Sequence, residues 1–342
     1  MKLLLIGLDG VRLDIAVPAA MTAHPGFAEP DHPADPRFAA GPRPEDAPDM
    51  PEPTDQSAAP TLERLWRGGA ILPVWMTPPT DSGPGWSALL TGTGHEQNNV
   101  WWNEFVGHRL ARTPDLLTRI WAANPQARTY AAASWDALVD PGGPGPVIQQ
   151  RPDQQVGGQH EIFHAPDTTD GVAAADRRVT AHATWVLNHE GPDAAFVYIG
   201  GVDEAGHDHG AASPHYREAT STADEHVRRL VKAVSERYEQ LGEEWLIAVT
   251  TDHGHKPEGG HGDDEVDVRR SFLVLHRVGP DGADDWARDA VAGRGPLHAE
   301  QVTPLLLDLL GVRVGSWDPA HPVGERTDIP AVGPTRDLRY EW

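Results

Sequence analysis

The stretch that decides the fold reads Trp245-Leu-Ile-Ala-Val-Thr250-Thr-Asp252-His253-Gly-His255-Lys-Pro-Glu-Gly-Gly-His261-Gly262. Its first six residues form an apolar, β-branched run, which is typical of a strand buried on both faces. An Asp-His pair follows at the carboxyl end, where open α/β sheets bind their ligands. The glycines that follow allow tight turns, which can return His255 or His261 to the same point. We interpret this loop as one wall of an active site. A histidine in such a loop is by itself more often solvated than a metal ligand, so the rest of the chain must support this interpretation.

Amino-acid composition limits the chemistry that is possible. The chain has 342 residues, 39% of them hydrophobic, which is enough for the core of one large domain or two small ones. It contains no cysteine, which excludes disulfides, thiolate metal ligands and cysteine nucleophiles. Any bound metal ion must therefore be held by histidines and carboxylates.

The charge of the chain limits its partners. A formal net charge of -23 argues against duplex nucleic acid and anionic membranes, although a small anionic substrate is compatible if metal cations reverse the local field. The apolar run at the start is too short for a signal peptide and stops at Asp9. Because no segment approaches the ~20 apolar residues of a membrane span, we expect a soluble, cytoplasmic protein.

Two further predicted strands end in chemically active residues. Lys2 to Leu8 is followed by Asp9, and Ala194 to Ile199 is followed by Asp203 and His207. The other predicted elements are strands at Ala70 to Met76, Thr129 to Ala133 and Ser271 to His276, and helices at Leu116 to Ala123, Val172 to Leu187, Ala223 to Leu241 (with Thr222 and Glu225 as a capping box) and Pro304 to Leu310 (capped by Thr303). This alternation predicts an α/β protein, a three-layer α/β/α fold with a mostly parallel central sheet. The carboxyl ends of its strands share one edge, so the polar groups behind them can converge.

Three parts of the chain lack a regular sequence pattern. Residues 18–59 are rich in Pro, Ala, Asp and Glu without apolar periodicity, which predicts a surface insertion that cannot fold alone. Residues 141–158 are loop-like, and a Pro-rich, irregular tail begins at about residue 318. We expect one catalytic domain spanning residues 1–342.

A second candidate site motif follows the strand that ends at Met76. There the chain passes through a Gly/Pro turn into a short helix, with Ser82 at the turn. Such a serine is often a helix N-cap. Alternatively, the turn exposes its hydroxyl where helix N–H groups face an incoming anion. Further along, Asn103 lies in an aromatic stretch.

The candidate ligands form a set suited to two metal ions. All lie on predicted loops behind strands: Asp9, Asp203, His207, Asp252, His253 and His261. Such mixed oxygen and nitrogen donors suit two divalent cations, most plausibly Zn²⁺, with Mn²⁺ or Fe as alternatives. Two ions about 4 Å apart can clamp the attacking and departing oxygens of a displacement at phosphorus. Coordination to one of them would activate Ser82 as the nucleophile.

In order and spacing these residues resemble the alkaline phosphatase superfamily, specifically its type I phosphodiesterase/nucleotide pyrophosphatase family. The motifs that carry the resemblance are Asp9, Ser82 with Thr91-Gly92, Asn103, Asp203-x-x-Gly206-His207-x-x-Gly210, Asp252-His253-Gly254 and His261-Gly262. The resemblance implies an alkaline-phosphatase-like fold and hydrolysis of a phosphodiester or nucleotide pyrophosphate through a covalent phosphoseryl intermediate. The substrate would be a small phosphate ester, possibly a nucleotide.

The resemblance also implies a role for each residue. Asp9, Asp252 and His253 would surround the metal ion that holds Ser82, and Asp203, His207 and His261 the ion that assists the leaving group. Asn103, together with the Gly83 N–H, would donate to a phosphoryl oxygen. Which histidine serves as the third histidine ligand is left open, because His255 and His298 are alternatives to His261.

The chain departs from the family pattern at two points, both among residues expected near the substrate. Gly85 stands where the family has Asn, and Asn98-Asn99 where it has His-Gly. Sulfatases carry a Cys/Ser-x-Pro-x-Arg motif. The chain has its first half, Ser82-Gly-Pro84-Gly, but Trp86 replaces the Arg, which disfavours sulfatase chemistry. No lysine lies between Asn103 and Asp203, which favours a diester or pyrophosphate over a monoester.

Alternative functions and roles stay open at this point. A phosphomonoesterase or phosphonate hydrolase could use the same site, and a catalytically silent metal-binding homologue could keep the ligands without turnover. Four aromatic residues could stack on a nucleoside base, although aromatics at this spacing are more often core: Trp86, Trp101, Trp102 and Phe105.

Overall fold

The protein is built on a central eight-stranded sheet with strand order β4-β3-β5-β1-β6-β7-β2-β8. The computed structural model describes residues 1–28, 36–52, 56–168, 170–280 and 283–312. The strands are β1 (Lys2–Leu8), β2 (Ala70–Trp75), β3 (Thr129–Ala133), β4 (His160–His164), β5 (Ala194–Ile199), β6 (Trp245–Thr250), β7 (Arg270–Val278) and β8 (Leu297–His298). Strand β7 is antiparallel to both of its neighbours, and the other pairings are parallel. The predicted mostly parallel sheet is confirmed.

Helices cover both faces of the sheet. They are α1 (Leu13–Ala16), α2 (Pro60–Arg67), α3 (Ser82–Thr91), α4 (His95–Asn98), α5 (Leu116–Ala123), α6 (Asp136–Val139), α7 (Pro152–Val156), α8 (Val172–His189), α9 (Gly201–His209), α10 (Pro214–Leu241), α11 (Val266–Arg269), α12 (Ala283–Val291) and α13 (Val302–Leu309). Alternate residues of β1 feed two cores, with Leu3 and Leu5 in one and Leu4 and Ile6 in the other. This period of two is what a strand covered on both faces requires. The structure therefore has the three layers that the sequence predicts.

Two helix starts differ from the sequence predictions. Helix α10 begins at Pro214, where the Ser213 side chain accepts a hydrogen bond from the Tyr216 N–H. Thr222 therefore lies inside the helix, and its hydroxyl donates to the Glu218 carbonyl, so the predicted capping box is wrong. The last helix likewise begins before Thr303, at Val302. Strands β4 and β8 were not predicted.

The Pro-rich insertion is partly packed onto the sheet. It contains a short 3₁₀ turn, Pro25–Phe27, and the Phe27 side chain is completely buried. The indole of Trp75 donates to the Gly26 carbonyl at 2.8 Å, which fixes the turn against β2. The predicted tail from residue 318 lies outside the described residues, whose helices include none that is long and apolar enough to cross a membrane.

Candidate active site

Asp9 and Asp252 follow the neighbouring strands β1 and β6 and are both fully buried. One oxygen of Asp9, Oδ2, accepts hydrogen bonds from the Trp86 indole at 2.9 Å and the Tyr198 hydroxyl at 2.7 Å. Asp252 Oδ1 lies 3.3 Å from the Gly10 N–H. The other oxygens, Asp9 Oδ1 and Asp252 Oδ2, are buried without a hydrogen-bond partner among the described residues. Buried carboxylate oxygens are costly unless a cation satisfies them.

His253 brings these oxygens together with Ser82. Its Nδ1 lies 3.0 Å from the Gly254 carbonyl, so a proton on Nδ1 leaves Nε2 with a free lone pair. Nε2 lies 3.1 Å from Ser82 Oγ, 3.3 Å from Asp9 Oδ1 and 3.4 Å from Asp252 Oδ2. Ligands bound at 2.0–2.1 Å around a tetrahedral ion are about 3.3 Å from one another. Each of the three oxygens therefore lies at a distance from His253 Nε2 that suits two ligands of one divalent cation.

The electrostatics of this group point the same way. Burial and the negative charge of Asp9 raise the pKa of Asp252 well above its usual range. Although burial disfavours a charged imidazole, the neighbouring carboxylates of Asp252 and Asp9 raise the pKa of His253 to about 10. The buried carboxylates therefore favour a positive charge at this place, which a proton on His253 Nε2 supplies in the metal-free protein and which a divalent cation would supply when bound.

Ser82 is the first residue of α3, at the amino end of the helix. The N-cap position belongs to Asp81, and neither side chain makes a capping hydrogen bond, so Ser82 does not act as a cap. The hydroxyl is buried beside His253. The alternative interpretation of Ser82 as an N-cap is therefore wrong.

A second group of donors surrounds Asp203. Asp203 and His207 lie one turn apart on α9, not on a loop as predicted, and this spacing places them on the same helix face. His207 Nε2 and His261 Nε2 are 3.0 Å apart, and each is 3.5 Å from Asp203 Oδ1. These three distances also suit three ligands of one tetrahedral ion. Asp203 Oδ1 lies 3.9 Å from His253 Nε2, so the two groups adjoin.

The structure distinguishes between the histidines that competed for this group. Two of them, His255 and His261, lie in the Asp203 cluster. His298 lies on β8 in register with Trp75 and is not part of the cluster. The loop between β6 and β7 therefore supplies His253, His255 and His261 to the site.

Asn103 stands beside the first turn of α3. Its side-chain oxygen accepts a hydrogen bond from the Gly83 N–H at 2.7 Å, and the residue is exposed. In this arrangement the Gly83 N–H, which the family resemblance assigned to a phosphoryl oxygen, is bonded to Asn103. The bond keeps the Asn103 amide next to Ser82.

Both departures from the family pattern have structural explanations. A Cβ atom on Gly85 would lie 3.0 Å from Cβ and 3.1 Å from the carbonyl oxygen of Asp252, so a glycine lets α3 approach that ligand closely. Asn99 adopts a positive φ of 54°, which Asn tolerates better than most residues and which Gly also supplies. Asn98 is buried, donates to the Thr93 carbonyl and accepts from the Val100 N–H. These residues build the turn, and their identity does not signal a damaged site.

The aromatic residues near the site differ in accessibility. Trp86 and Phe105 are core residues that are almost fully buried, so they are not available to stack on a ligand. Trp102 is 51% exposed, and Phe38 of the insertion stacks on Trp101 and packs edge-on against Trp102. The Ala40 N–H also donates to Asp264 at 2.8 Å, near the His261 loop. The insertion thus contacts two walls of the site.

Sequence reasoning missed the residues that hold the ligands. Tyr198 faces Asp9 because it pairs in register with Gly7 of β1, which no sequence motif indicates. Asp176 of α8 accepts hydrogen bonds from the Gly200 and Gly201 N–H groups, at 3.0 and 2.8 Å, and so fixes the start of α9. Burial raises the pKa of Asp176 to about 7. Both contacts join residues far apart in the chain.

A mostly parallel sheet with carboxylates and histidines at its carboxyl edge, beside a serine at a helix start, defines an alkaline-phosphatase-like hydrolase site. The chain belongs to the type I phosphodiesterase/nucleotide pyrophosphatase family, whose model matches residues 47–276. The matched range includes every candidate site residue except Asp9.

The chain is also similar to individual known proteins. Over 142 residues the chain is 27% identical to GPI ethanolamine phosphate transferase 1 of Yarrowia lipolytica, and this match covers 38% of the chain but only 15% of that protein. Murine ectonucleotide pyrophosphatase/phosphodiesterase 5 has a similar fold, with a TM-score of 0.54 and 14% identity, covering 92% of this chain and 96% of that one. A putative sulfatase from Bacteroides thetaiotaomicron gives a TM-score of 0.57 with 12% identity, covering 92% and 72%. At these identities the structural matches show the fold alone.

Proposed function

We propose that the protein hydrolyses a phosphodiester or nucleotide pyrophosphate bond with Ser82 as nucleophile and two divalent cations, most plausibly Zn²⁺, as cofactors. The observation that carries the proposal is the convergence of Ser82 Oγ, Asp9 Oδ1 and Asp252 Oδ2 on His253 Nε2. Family membership supports hydrolysis of a phosphoric ester.

The two groups of donors would hold one cation each. Asp9, Ser82, Asp252 and His253 would form the first site, and Asp203, His207 and His261 the second. When bound, the cations would lower the pKa of the Ser82 hydroxyl and stabilise the developing negative charge on the oxygens of the phosphoryl group.

The residues of the chain position the reaction. Ser82 Oγ attacks phosphorus and forms a phosphoseryl ester, while the bond to the leaving-group oxygen breaks and that oxygen takes up a proton. Water then attacks the phosphoseryl ester, which releases the phosphate product and restores the Ser82 hydroxyl. The Gly254 carbonyl fixes the orientation of the His253 ring throughout, and Asn103 presents its amide beside Ser82.

The charges near Ser82 favour a diester or pyrophosphate over a monoester. Asp81 precedes the serine, and burial raises the pKa of its carboxyl group. Two cationic side chains of the neighbouring loops are already engaged: Arg12 is paired with Asp14 and Asp267, and Lys256 is paired with Asp263. A dianionic monoester needs more positive charge than a monoanionic diester. A nucleotide is a reasonable small substrate, and AMP is the ligand in a structure of the murine relative.

A substrate panel with one variant pair tests the proposal. Chromogenic diester, monoester, phosphonate and sulfate substrates are assayed with Zn²⁺ or Mn²⁺, and the diester is expected to be cleaved fastest. Ser82→Ala should abolish turnover while metal binding is largely retained. Ser87→Ala is the matched control, because this buried serine lies on the same helix and its hydroxyl has no partner among the described residues.

Other outcomes would select other functions. A faster monoester or phosphonate reaction would assign the same site to those substrates. Bound metal without turnover of any substrate would identify a silent homologue. Undiminished turnover by Ser82→Ala would remove this serine from the nucleophile role.

A further inference from the structure

His255 is held rigidly inside the fold. Its side chain is completely buried, and its ring lies edge-on to the Tyr216 ring with 5.9 Å between centroids. A Cβ atom on Gly206 would come within 2.6 Å of the His255 ring, and one on Gly10 within 3.0 Å. The glycine of the Asp203-x-x-Gly206-His207 motif therefore provides the space that this imidazole occupies.

The distances around Asp203 separate His255 from the other histidines. His255 Nε2 lies 2.7 Å from Asp203 Oδ1, whereas His207 Nε2 and His261 Nε2 each lie 3.5 Å from the same oxygen. Two ligands of a tetrahedral ion are expected about 3.3 Å apart, so the longer distances suit ligands. The shorter distance is that of a hydrogen bond with a charged acceptor.

We propose that His255 is a positioning residue that donates its Nε2–H to Asp203 and aims this carboxylate at the cation shared with His207 and His261. The inference rests on the proposed function, because it requires a cation at Asp203. Carboxylates that bind a metal ion are commonly held by such a hydrogen bond.

This role keeps the second site open. Three protein ligands leave a position for a leaving-group oxygen or a water molecule, whereas four protein ligands form the closed site typical of structural zinc. With its proton on Nε2, the His255 ring turns Nδ1 inward, and this atom is buried without a hydrogen-bond partner among the described residues. A neutral imidazole tolerates that environment better than a charged one.

Metal binding by two variants of the full chain tests the inference. His255→Met removes the donor at similar volume, and His255→Gln keeps an N–H donor on a side chain of similar reach. Zn²⁺ and Co²⁺ binding to the metal-depleted proteins is measured by titration calorimetry and by the visible absorption of cobalt. We expect His255→Met to weaken the binding of one of the two ions by about 10- to 100-fold. The other ion should bind as in the wild type, and His255→Gln should recover most of the loss.

The control is His298→Met. His298 lies outside the cluster, so this variant should bind both ions as the wild type does. Melting of the metal-free variants identifies any general loss of structure. If both His255 variants bind this ion equally weakly, His255 is a direct ligand and the inference is wrong. Normal binding by His255→Met, or a wild type that binds only one ion, would also overturn it. Turnover is assayed separately, so a wild type that binds both ions but cleaves no ester would refute only the proposed function.

Discussion

Removal of the Tyr198 hydroxyl tests whether Asp9 is oriented for a cation. The hydroxyl donates to Asp9 Oδ2 at 2.7 Å, and Trp86 supplies the second hydrogen bond to the same oxygen. Burial and the charge of Asp9 raise the pKa of Tyr198 well above its usual range, so the hydroxyl keeps its proton and donates. A hydrogen bond to a charged group is worth about 1.5–3 kcal/mol, and the middle of this range corresponds to ~40-fold in a dissociation constant. We therefore expect Tyr198→Phe to weaken binding of one metal ion by roughly that factor.

Competition with a chelator of known affinity measures the effect, with the second ion as an internal reference. Tyr130→Phe is the matched control, because this buried strand tyrosine forms its hydrogen bond with His182, away from the site. If Tyr198→Phe binds both ions as tightly as the wild type does, Asp9 is not oriented for a cation in the way described.

Two further predictions concern packing and pH. Gly85→Ala should destabilise the fold by about 1–3 kcal/mol, because the new methyl group crowds Asp252, whereas Gly295→Ala should be nearly neutral, since this glycine lies in a loop and its Cβ would meet nothing within 4 Å. Thermal melting of both variants tests this explanation. Equal melting temperatures would show that Gly85 is not required for packing against Asp252. Burial lowers the pKa of His226 from 6.5 to about 4, so the unfolded chain binds more protons between these values. The free energy of unfolding should therefore fall as the pH drops from 6.5 to 4, by up to about 2 kcal/mol at pH 5, and denaturant titrations should show a shallower fall for His226→Gln.

The strands were the most predictable part of the fold. Four predicted strands agree with the structure at both ends: β1, β3, β5 and β6. They are central, buried on both faces and continuously apolar, so local composition and tertiary environment agree. Strand β8 has only two residues, and β4 is mixed in polarity, so neither carries a strand pattern.

Helix boundaries were less predictable because caps depend on a few atoms. Ser213 starts α10, yet the sequence between Pro214 and Thr222 is polar and lacks a clear apolar face. The Asp203 to His207 segment reads as a Gly-rich, charged loop, but Asp176 holds its first N–H groups and the segment forms α9. A contact with a distant carboxylate decided this helix, and such contacts are invisible in local sequence.

The candidate ligands were predictable because each stands directly behind a strand or in a short motif. The residues that support these ligands were not predictable. The positions of Tyr198 and Asp176, and the space around the His255 ring, result from strand register and packing.

The antiparallel direction of β7 has a consequence for how this site can change in evolution. A connection between parallel strands must cross to the opposite edge of the sheet, but the segment between β6 and β7 leaves and re-enters at the same edge. It also bridges to the chain before Ser82, through the Thr80 N–H and the Gly262 carbonyl. Residues can therefore be added to or removed from this segment without displacing any strand, which gives evolution an adjustable rim beside a fixed nucleophile.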